Sequence, residues 1–294
     1  MRGEATAART ARELRTLLDP MRSRGERIGF VPTMGALHEG HMSLVRGSME
    51  ECDRTVASIF VNPAQFGPGE DFDRYPRDEE TDLEKLRGAG VDLVFLPSEE
   101  EIYGCGFRTF IEVEGISERL CGAVRKGHFR GVATVVWKLL ALTNPERVYF
   151  GAKDAQQLVV IRRMVQDLGG PWTVRSLPTA REPDGLALSS RNRYLGAAER
   201  AAAPALHRAL AEAKWRIEGG ERETAAVVAA ATETLAAEPL VRVEYVEAVR
   251  LADLEPPDRL EGDLLLAGAI RIGKTRLIDN LCLRVGESVE EILP

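Results

Sequence analysis

The residues best suited to chemistry lie in one short stretch, Val-Pro-Thr-Met-Gly-Ala-Leu-His-Glu-Gly-His, at positions 31–41. His38 and His41 are three residues apart, so in a helix that begins there their imidazoles share one side of the first turn. Gly40 between them lets a ligand approach the backbone closely. Because a helix N-terminus offers N–H groups and a partial positive charge, the stretch is typical of a phosphate site. Two imidazoles there can donate hydrogen bonds to a nucleotide triphosphate and stabilise the negative charge that builds on it.

The histidine pair has a second interpretation, a zinc site. A zinc pair on a helix usually has the spacing H-E-x-x-H and a third protein ligand. The sequence around His38 and His41 has neither, and the four cysteines of the chain contain no C-x-x-C pair. We therefore expect no metal on the histidines, no dense disulfide framework, and free thiols of the kind found in a reducing cytoplasm.

The elements that could position this stretch follow from the hydrophobic pattern of the first half. The predicted strands are Ile28–Val31, Val56–Val61, Val91–Leu96, Arg147–Phe150 and Trp172–Leu177, with a further strand at Arg108–Val113. The predicted helices are 11–24, 41–51, 78–88, Val132–Leu142 and Ala155–Leu168. Strands that are apolar on both faces and alternate with helices indicate a parallel sheet covered on both sides. We therefore predict a Rossmann-like, doubly wound α/β domain that binds its ligand beyond the carboxyl ends of the strands.

The second half of the chain has a different pattern. Residues 197–237 are rich in Ala and Glu and are interrupted by Gly219-Gly220, which predicts two helices joined by a turn. Val241–Val249 alternates between apolar and polar residues, as a half-exposed strand does. We place the domain boundary near Thr179. The predicted domains are a Rossmann-like domain at 1–179 and a smaller C-terminal α+β lid domain at 180–294.

One stretch of the second half, Gly268–Thr275, matches the phosphate-binding loop pattern G-x-x-x-x-G-K-[S/T] letter for letter. A true loop of this kind follows a strand and opens a helix. Here the variable positions include β-branched Ile270 and Ile272, and the following residues alternate like a strand. We therefore predict a β-hairpin between strands Leu264–Ile272 and Thr275–Val285 rather than a nucleotide site.

Composition limits the kinds of partner. The 294 residues include 39 Lys and Arg against 46 Asp and Glu, a formal net charge of −7. Such a balance argues against a protein that binds nucleic-acid backbone or an anionic membrane. No stretch approaches the roughly 18 apolar residues of a membrane helix, and the N-terminal residues show no apolar signal-peptide core. We expect a cytoplasmic protein with small-molecule substrates.

The His-x-Gly-His motif after the first predicted strand resembles the nucleotidylyltransferase superfamily, and its surroundings resemble one family within it, the pantothenate synthetases. The blocks that carry the resemblance follow one another from about residue 28 to 195, with weaker agreement at 243–245 and 275–280. They are Pro32–His41, Phe60–Phe66, Tyr75–Arg77, His128–Val132, Gly151–Leu158 and Leu188–Asn192. The resemblance implies condensation of (R)-pantoate with β-alanine through pantoyl adenylate, with ATP converted to AMP and pyrophosphate.

The resemblance also implies roles for individual residues in binding ATP. His38 and His41 would hold the phosphates, with His41 as proton donor, and Lys153 would supply a fixed cation at the α-phosphate. Gly151 and Asp154 would contact the ribose. The expected ATP-binding residues are Met34, Gly35, Ala36, Leu37, His38, Glu39, Gly40, His41, Gly151, Ala152, Lys153, Asp154, Ala180, Leu188, Ser189, Ser190 and Arg191.

Three neutral amides, Asn62, Gln65 and Gln157, are the expected residues for pantoate and β-alanine. An amide can bind both the hydroxyls and the carboxylate of pantoate without neutralising the nucleophile. Mg²⁺ is expected because ATP carries it, and Asp82 matches a family carboxylate near that ion. The resemblance further implies a homodimer and a mobile lid at Gly67–Arg74.

The chain also departs from the family pattern. Ala152 stands where the family usually has Glu, and Cys121 where Glu is frequent; Ala64 and Lys126 are further departures. None of these removes a phosphate-binding group. Two other functions stay open, namely another nucleotidylyltransferase or a synthetase fragment, and a nucleotide-binding regulatory protein without catalysis.

Overall fold

A computed structural model of the chain describes residues 6–294; residues 1–5, the start of the predicted domain 1–179, lie outside the described part. The chain divides into two compact units. Unit 1 comprises Met1–Ser117, Arg125–Gly151 and Val160–Leu177, and unit 2 comprises Glu118–Val124, Ala152–Val159 and Pro178–Pro294. The sequence-based boundaries, 1–179 and 180–294, treat each domain as one uninterrupted segment and stay a prediction.

Unit 1 contains a six-stranded sheet whose neighbouring strands run parallel. Its strands are β1 (Thr6–Ala8), β2 (Ile28–Thr33), β3 (Arg54–Ile59), β4 (Leu93–Phe95), β5 (Arg147–Gly151) and β6 (Thr173–Leu177). The helices up to residue 167 are α1 (Ala11–Ser23), α2 (Glu39–Glu51), α3 (Glu79–Ala89), α4 (Glu99–Tyr103), α5 (Cys121–Val124), α6 (His128–Thr143) and α7 (Ala155–Asp167). Parallel strands alternating with helices confirm the predicted Rossmann-like fold class. Over residues 6–294, no helix combines the length and apolar character needed to cross a membrane.

The strands lie in the order β1-β4-β3-β2-β5-β6. From β2 the chain continues to β3 and β4 on one side, whereas β5 and β6 lie on the other side. An open parallel sheet binds ligands beyond its carboxyl ends at the point where the strand order reverses in this way. The segments that follow β2, β3 and β5 are therefore the ones that can form a site.

Helix α2 is held against the centre of the sheet by close packing and by charge. Gly29 of β2 lies so near the helix that a Cβ there would be 2.2 Å from the Ser48 hydroxyl. Glu51, the last residue of α2, accepts hydrogen bonds from Arg147 of β5 at 2.6 Å and from Arg175 of β6 at 2.6 Å. Because a helix of this length is rigid, fixing its C-terminal end to two strands also sets the place of its N-terminal end.

The sheet differs from the sequence-based prediction at one edge. The strand predicted at Arg108–Val113 is wrong, because this segment has no regular structure and the Ile111 N–H donates to the Thr134 hydroxyl at 2.9 Å. The edge beside β4 is occupied by β1, which has too few residues to show a hydrophobic period. Side chains hold the irregular segment, since the Arg130 guanidinium lies 3.7 Å from the centre of the Phe110 ring.

Unit 2 contains a four-stranded antiparallel sheet with helices, which confirms the predicted smaller α+β domain. Its later elements are α8 (Ala197–Ala202), α9 (Ala205–Glu218), α10 (Thr224–Ala236), β7 (Val241–Arg250), β8 (Gly262–Ile272), β9 (Thr275–Val285) and β10 (Val289–Glu291). The first of the two predicted helices is broken between α8 and α9, because Pro204 has no N–H to continue it. Strands β8 and β9 pair around Gly273, whose φ is +56°. The predicted hairpin at Gly268–Thr275 is therefore confirmed.

We expect Glu51→Gln to lower the stability of the fold at neutral pH. The hydrogen bond from Arg175 holds the pKa of Glu51 at about 2, against the opposing effect of burial. The ionised carboxylate therefore stabilises the fold fully above the unfolded pKa of 4.5, and this contribution is lost as the pH falls from there towards 2. The variant should lose about 1 kcal/mol at pH 7, since the group is partly open to solvent.

Urea unfolding of both proteins at a series of pH values measures this difference. It should be constant above about pH 5 and vanish near pH 2. The neighbouring exposed carboxylate provides a matched control, Glu50→Gln, which should leave stability unchanged. A pH-independent difference for Glu51→Gln would contradict the prediction.

Candidate active site

The turn between β2 and α2 is tight. Thr33, the last residue of β2, accepts the Gly35 N–H at 3.1 Å and donates its own hydroxyl to the Ser58 carbonyl at 2.7 Å. Gly35 and Ala36 both have positive φ, +78° and +51°. A Cβ at Gly35 would lie 2.9 Å from the Asp82 carboxylate, so the position requires glycine. The left-handed conformation is costly for Ala36, and the turn depends on support from elsewhere in the fold.

Helix α3 supplies that support. The Asp82 carboxylate, 2% exposed, accepts the Ala36 N–H at 2.7 Å on one oxygen and the Leu37 N–H at 2.8 Å on the other. Lys85, three residues further along α3, donates to the Leu37 carbonyl at 2.8 Å. The turn is thus held at both its N–H and its C=O groups. These contacts assign Asp82 to the turn, and its expected role near Mg²⁺ stays a prediction.

His38 and His41 cap α2 reciprocally. The Nδ1 of His38 accepts the Gly40 N–H at 3.2 Å, and the Nδ1 of His41 accepts the backbone N–H of His38 at 3.3 Å. The two ring centres are 4.2 Å apart. Because each Nδ1 accepts a backbone N–H, each neutral imidazole carries its proton on Nε2. The pair therefore provides two Nε2–H donors at the positive end of α2.

The amides that follow β3 lie near the same turn. Asn62, 1% exposed, donates to the side-chain oxygen of Gln65 at 3.0 Å and to the Gly131 carbonyl at 3.1 Å. Its own oxygen accepts the Tyr103 hydroxyl, and burial raises the pKa of Tyr103 above its usual value. The Gln65 amide nitrogen lies 3.0 Å from Met34 Sδ. The structure thus brings Gln65 to the turn between β2 and α2.

Two residues of this arrangement, Tyr103 and Gly131, were missed by sequence reasoning. A Cβ at Gly131 would lie 2.1 Å from the Ala64 carbonyl oxygen, so only glycine allows α6 to pack on the short 3-10 helix Pro63–Gln65. A glycine inside an apolar helix is a recognisable signal for such a close approach. Tyr103 has no comparable signal, since a lone tyrosine near a helix end is common.

Of the remaining expected residues, Gly151 ends β5 in unit 1, and the others belong to unit 2. Lys153 follows β5 by two residues, and its Nζ lies 3.6 Å from Asp154 Oδ1. The buried amide of Asn280, on β9, donates to the Lys153 carbonyl at 2.7 Å and to the Ala152 carbonyl at 3.1 Å. Both contacts are to backbone carbonyls, so they do not depend on the side chain at position 152. Sequence reasoning gave Asn280 no role, although an Asn within an apolar strand is a signal for one.

The segment from Ala180 to Arg191 is held by hydrogen bonds between its own residues. The Leu188 N–H donates to the Ala180 carbonyl at 2.9 Å, and the Ser189 hydroxyl accepts the Arg191 N–H at 3.3 Å at the start of a 3-10 helix. The expected residues therefore form two groups. Those of unit 1 are Met34–His41, Asn62, Gln65, Asp82 and Gly151, and those of unit 2 are Ala152, Lys153, Asp154, Gln157, Ala180, Leu188, Ser189, Ser190 and Arg191.

Known proteins resemble this chain over nearly its whole length. A family model described as pantoate-beta-alanine ligase matches residues 6–282. The pantothenate synthetase of Heliobacterium modesticaldum is 56% identical over 261 residues, 89% of this chain and 93% of the relative. That of Moorella thermoacetica is 51% identical over 278 residues, 95% of this chain and 98% of the relative.

Solved structures with the same names as these relatives, or names of the same activity, also match this chain. The crystal structure of pantothenate synthetase from Thermus thermophilus matches with a TM-score of 0.89 and 49% identity, covering 94% of this chain and 98% of that one. Pantoate-beta-alanine ligase from Francisella tularensis, complexed with beta-gamma ATP and β-alanine, matches with a TM-score of 0.78 and 34% identity over 94% and 97% of the two chains. The family resemblance expected from the sequence is confirmed, and the chain belongs to the pantoate-β-alanine ligase family.

Proposed function

We propose that this chain condenses (R)-pantoate with β-alanine to form pantothenate, through pantoyl adenylate, and converts ATP to AMP and pyrophosphate. The observation that carries the proposal is the reciprocal cap of His38 and His41, which provides two Nε2–H donors at the N-terminus of α2. Membership of the family supports the choice of substrates. The Francisella relative complexed with beta-gamma ATP and β-alanine supports two of them.

In the first step, a carboxylate oxygen of pantoate attacks the α-phosphorus of ATP. The bond from that phosphorus to the bridging oxygen breaks, and pyrophosphate leaves with the negative charge. We assign His38 and His41 to the phosphate oxygens, with His41 as proton donor, and Lys153 to the α-phosphate. The hydroxyls and guanidinium of Ser189–Arg191 suit the β- and γ-phosphates.

The second step joins β-alanine to the activated acyl group. The free amine of β-alanine attacks the acyl carbon of pantoyl adenylate, the bond from that carbon to the phosphate oxygen breaks, and AMP leaves as the nitrogen loses a proton. We assign Asn62, Gln65 and Gln157 to pantoate in both steps. Their amides are neutral, so the carboxylate keeps its nucleophilicity in the first step, whereas a lysine there would make it a poorer nucleophile.

The remaining ATP contacts belong to the same proposal. Gly151 and Asp154 would contact the ribose, and Ala152, Ala180 and Leu188 would offer backbone groups. For Ala152, the carbonyl already bound by Asn280 shows that the backbone there is held in place. The fixed turns need little reorganisation when the nucleotide binds, which favours tight and specific binding.

Mg²⁺ is proposed as the ion that accompanies the triphosphate. Among residues 6–294, no group of three or more His, Cys, Asp or Glu side chains could hold a metal ion. That finding suits an ion bound mostly through phosphate oxygens and water, as Mg²⁺ usually is. Both oxygens of Asp82 already accept backbone N–H groups of the turn between β2 and α2.

A homodimer, a cytoplasmic location and a lid role for residues 180–294 are further parts of the proposal. All four cysteines are free thiols, which is typical of proteins in a reducing compartment. The net charge of −7 disfavours nucleic-acid partners. Light scattering of the purified protein would measure its oligomeric state.

An assay with the purified full chain tests the proposed reaction. AMP and pyrophosphate should form from ATP only when pantoate is present, and the amide product should form only when β-alanine is added. If all three substrates together give no AMP, the proposal fails. Binding of ATP and pantoate without turnover, seen by thermal shift, would favour the regulatory alternative.

We expect His41→Ala to lower kcat about 100-fold or more, because it removes the assigned proton donor. It also removes the acceptor for the His38 N–H, so its stability should fall slightly. His41→Asn is the matched control, since its side-chain oxygen can accept that N–H but its amide cannot reach as far as Nε2. Both variants should lose turnover, and only His41→Ala should also lose stability. Turnover near that of the wild type in His41→Asn would contradict the role of His41.

We expect Asp82→Asn to raise the KM for ATP about tenfold and to destabilise the fold. The amide replaces one oxygen that accepts a backbone N–H, and a lost hydrogen bond to a charged group costs about 1.5–3 kcal/mol. Steady-state kinetics and thermal unfolding measure the two effects. Glu84→Gln, an exposed change on the same helix, is the control. An unaltered KM and melting temperature for Asp82→Asn would show that the turn does not depend on this carboxylate.

A further inference from the structure

Two polar side chains of unit 1, those of Arg125 and His128, bind the backbone carbonyl of Gln65, and a third, that of Glu70, binds Arg125. None of the three has a role in the proposed reaction. Arg125 precedes α6, His128 is the first residue of α6, and Glu70 lies in the expected lid segment Gly67–Arg74. The Arg125 guanidinium donates from Nε to one Glu70 oxygen at 2.7 Å and from Nη2 to the other at 2.6 Å. The side chains are 15% and 23% exposed. We call these three side chains and the Gln65 carbonyl the Arg125 network.

The contacts of Arg125 also determine the tautomer of His128. Arg125 Nη1 lies 2.9 Å from His128 Nε2, and a guanidinium can only donate, so Nε2 accepts and the proton lies on Nδ1. His128 Nδ1–H then donates to the Gln65 carbonyl oxygen at 2.8 Å. Arg125 Nη2 donates to the same oxygen at 3.3 Å. The carbonyl therefore accepts two hydrogen bonds, which fill both of its lone pairs.

Charge and burial keep the Arg125 network together. Burial raises the pKa of the Glu70 carboxyl, but the hydrogen bond and charge of Arg125, together with smaller effects of Gly67 and His128, leave its pKa below the usual value. A bidentate pair with an ionised carboxylate fixes the plane of the guanidinium, and this fixes the direction of its remaining N–H groups. The orientation of Arg125 toward Gln65 thus depends on Glu70.

The backbone and the side chain of Gln65 are consequently held from two directions. The Arg125 network binds its carbonyl, and Asn62 donates to its side-chain oxygen at 3.0 Å. The expected lid segment is also tied down here, because Glu70 belongs to it and Phe72 packs edge-on against Phe66 at 5.3 Å between ring centres. Glu70 of this segment is thus connected through Arg125 to the carbonyl of the residue assigned to pantoate.

We propose that Arg125, Glu70 and His128 are positioning residues that orient Gln65 for pantoate and couple that orientation to the segment Gly67–Arg74. The inference rests on the proposed function and adds to it the residues that determine how Gln65 is oriented in the pantoate subsite. None of the three touches a reacting atom, so the network acts on the binding of pantoate and not on that of ATP. When a side chain that binds a substrate is displaced, the protein binds that substrate less tightly, even though the side chain itself is unchanged.

Two variants test the proposal by the kinetic constants of each substrate. Glu70→Gln removes the charge that orients the guanidinium. Arg125→Lys keeps an ion pair with Glu70, and so keeps most of the stability, but one ammonium cannot hold Glu70, His128 and the Gln65 carbonyl together. Both should raise the KM for pantoate about tenfold and change the KM for ATP by less than about twofold. Arg125→Lys should melt within a few degrees of the wild type.

A comparable ion pair elsewhere in unit 1 supplies the control. Arg54 donates from Nε and Nη2 to the two oxygens of Glu26 at 3.0 and 3.1 Å, at the start of β3 and away from the carboxyl ends of the strands. Glu26→Gln should therefore leave both KM values unchanged. It separates loss of an arginine–glutamate pair as such from loss of the one that orients Gln65.

The proposal is overturned if the KM for pantoate stays within about twofold of wild type in both variants, or if both KM values rise together as in a general loss of structure. Failure of the wild type to form AMP would instead contradict the proposed function. In that case calorimetric titration of pantoate into protein saturated with a non-hydrolysable ATP analogue still decides the inference. Affinity for pantoate must fall in both variants and not in Glu26→Gln.

Discussion

The hydrogen bonds from Ala36 and Leu37 to the Asp82 carboxylate are the interaction on which the site depends. The chain leaves β2 through two residues with positive φ, and one of them is an alanine, so the turn is not stable by itself. A buried carboxylate that binds two consecutive N–H groups makes this conformation favourable. Only then does His38 reach the N-cap position, where its ring and that of His41 can accept backbone N–H groups and orient their Nε2–H donors.

The same physical principle governs the segment that follows β3. Its backbone is held by side chains distant in sequence, with Asn62 bound to the Gly131 carbonyl and the Gln65 carbonyl bound by His128. Polar groups that are already fixed need no reorganisation when charge develops on a substrate, which is the main source of electrostatic catalysis. Rigid support also explains why Gly131 is needed, since a side chain there would separate α6 from the segment.

Sequence patterns were most informative where a strand is buried on both faces. β2, β3 and β4 are covered by helices and read as apolar runs, so they could be predicted within a few residues. The pattern was misleading where pairing depends on a distant partner. Arg108–Val113 has the composition of a strand, but β1 occupies the edge of the sheet beside β4. The break at Pro204 was a local signal that the overall Ala-rich pattern concealed.

The fold class, the His-x-Gly-His turn and the family could be predicted without a structure, because each depends on residues that are close together or on periodicity along one segment. The hairpin at Gly268–Thr275 was decided locally too, by β-branched residues that favour strands. The groups that support the candidate site could be identified only from the folded chain. Asp82 is 45 residues from Leu37, and His128 is 63 residues from Gln65. Contacts of this kind leave no periodicity in the sequence, because they arise when parallel strands bring the loops at their carboxyl ends to one edge of the sheet.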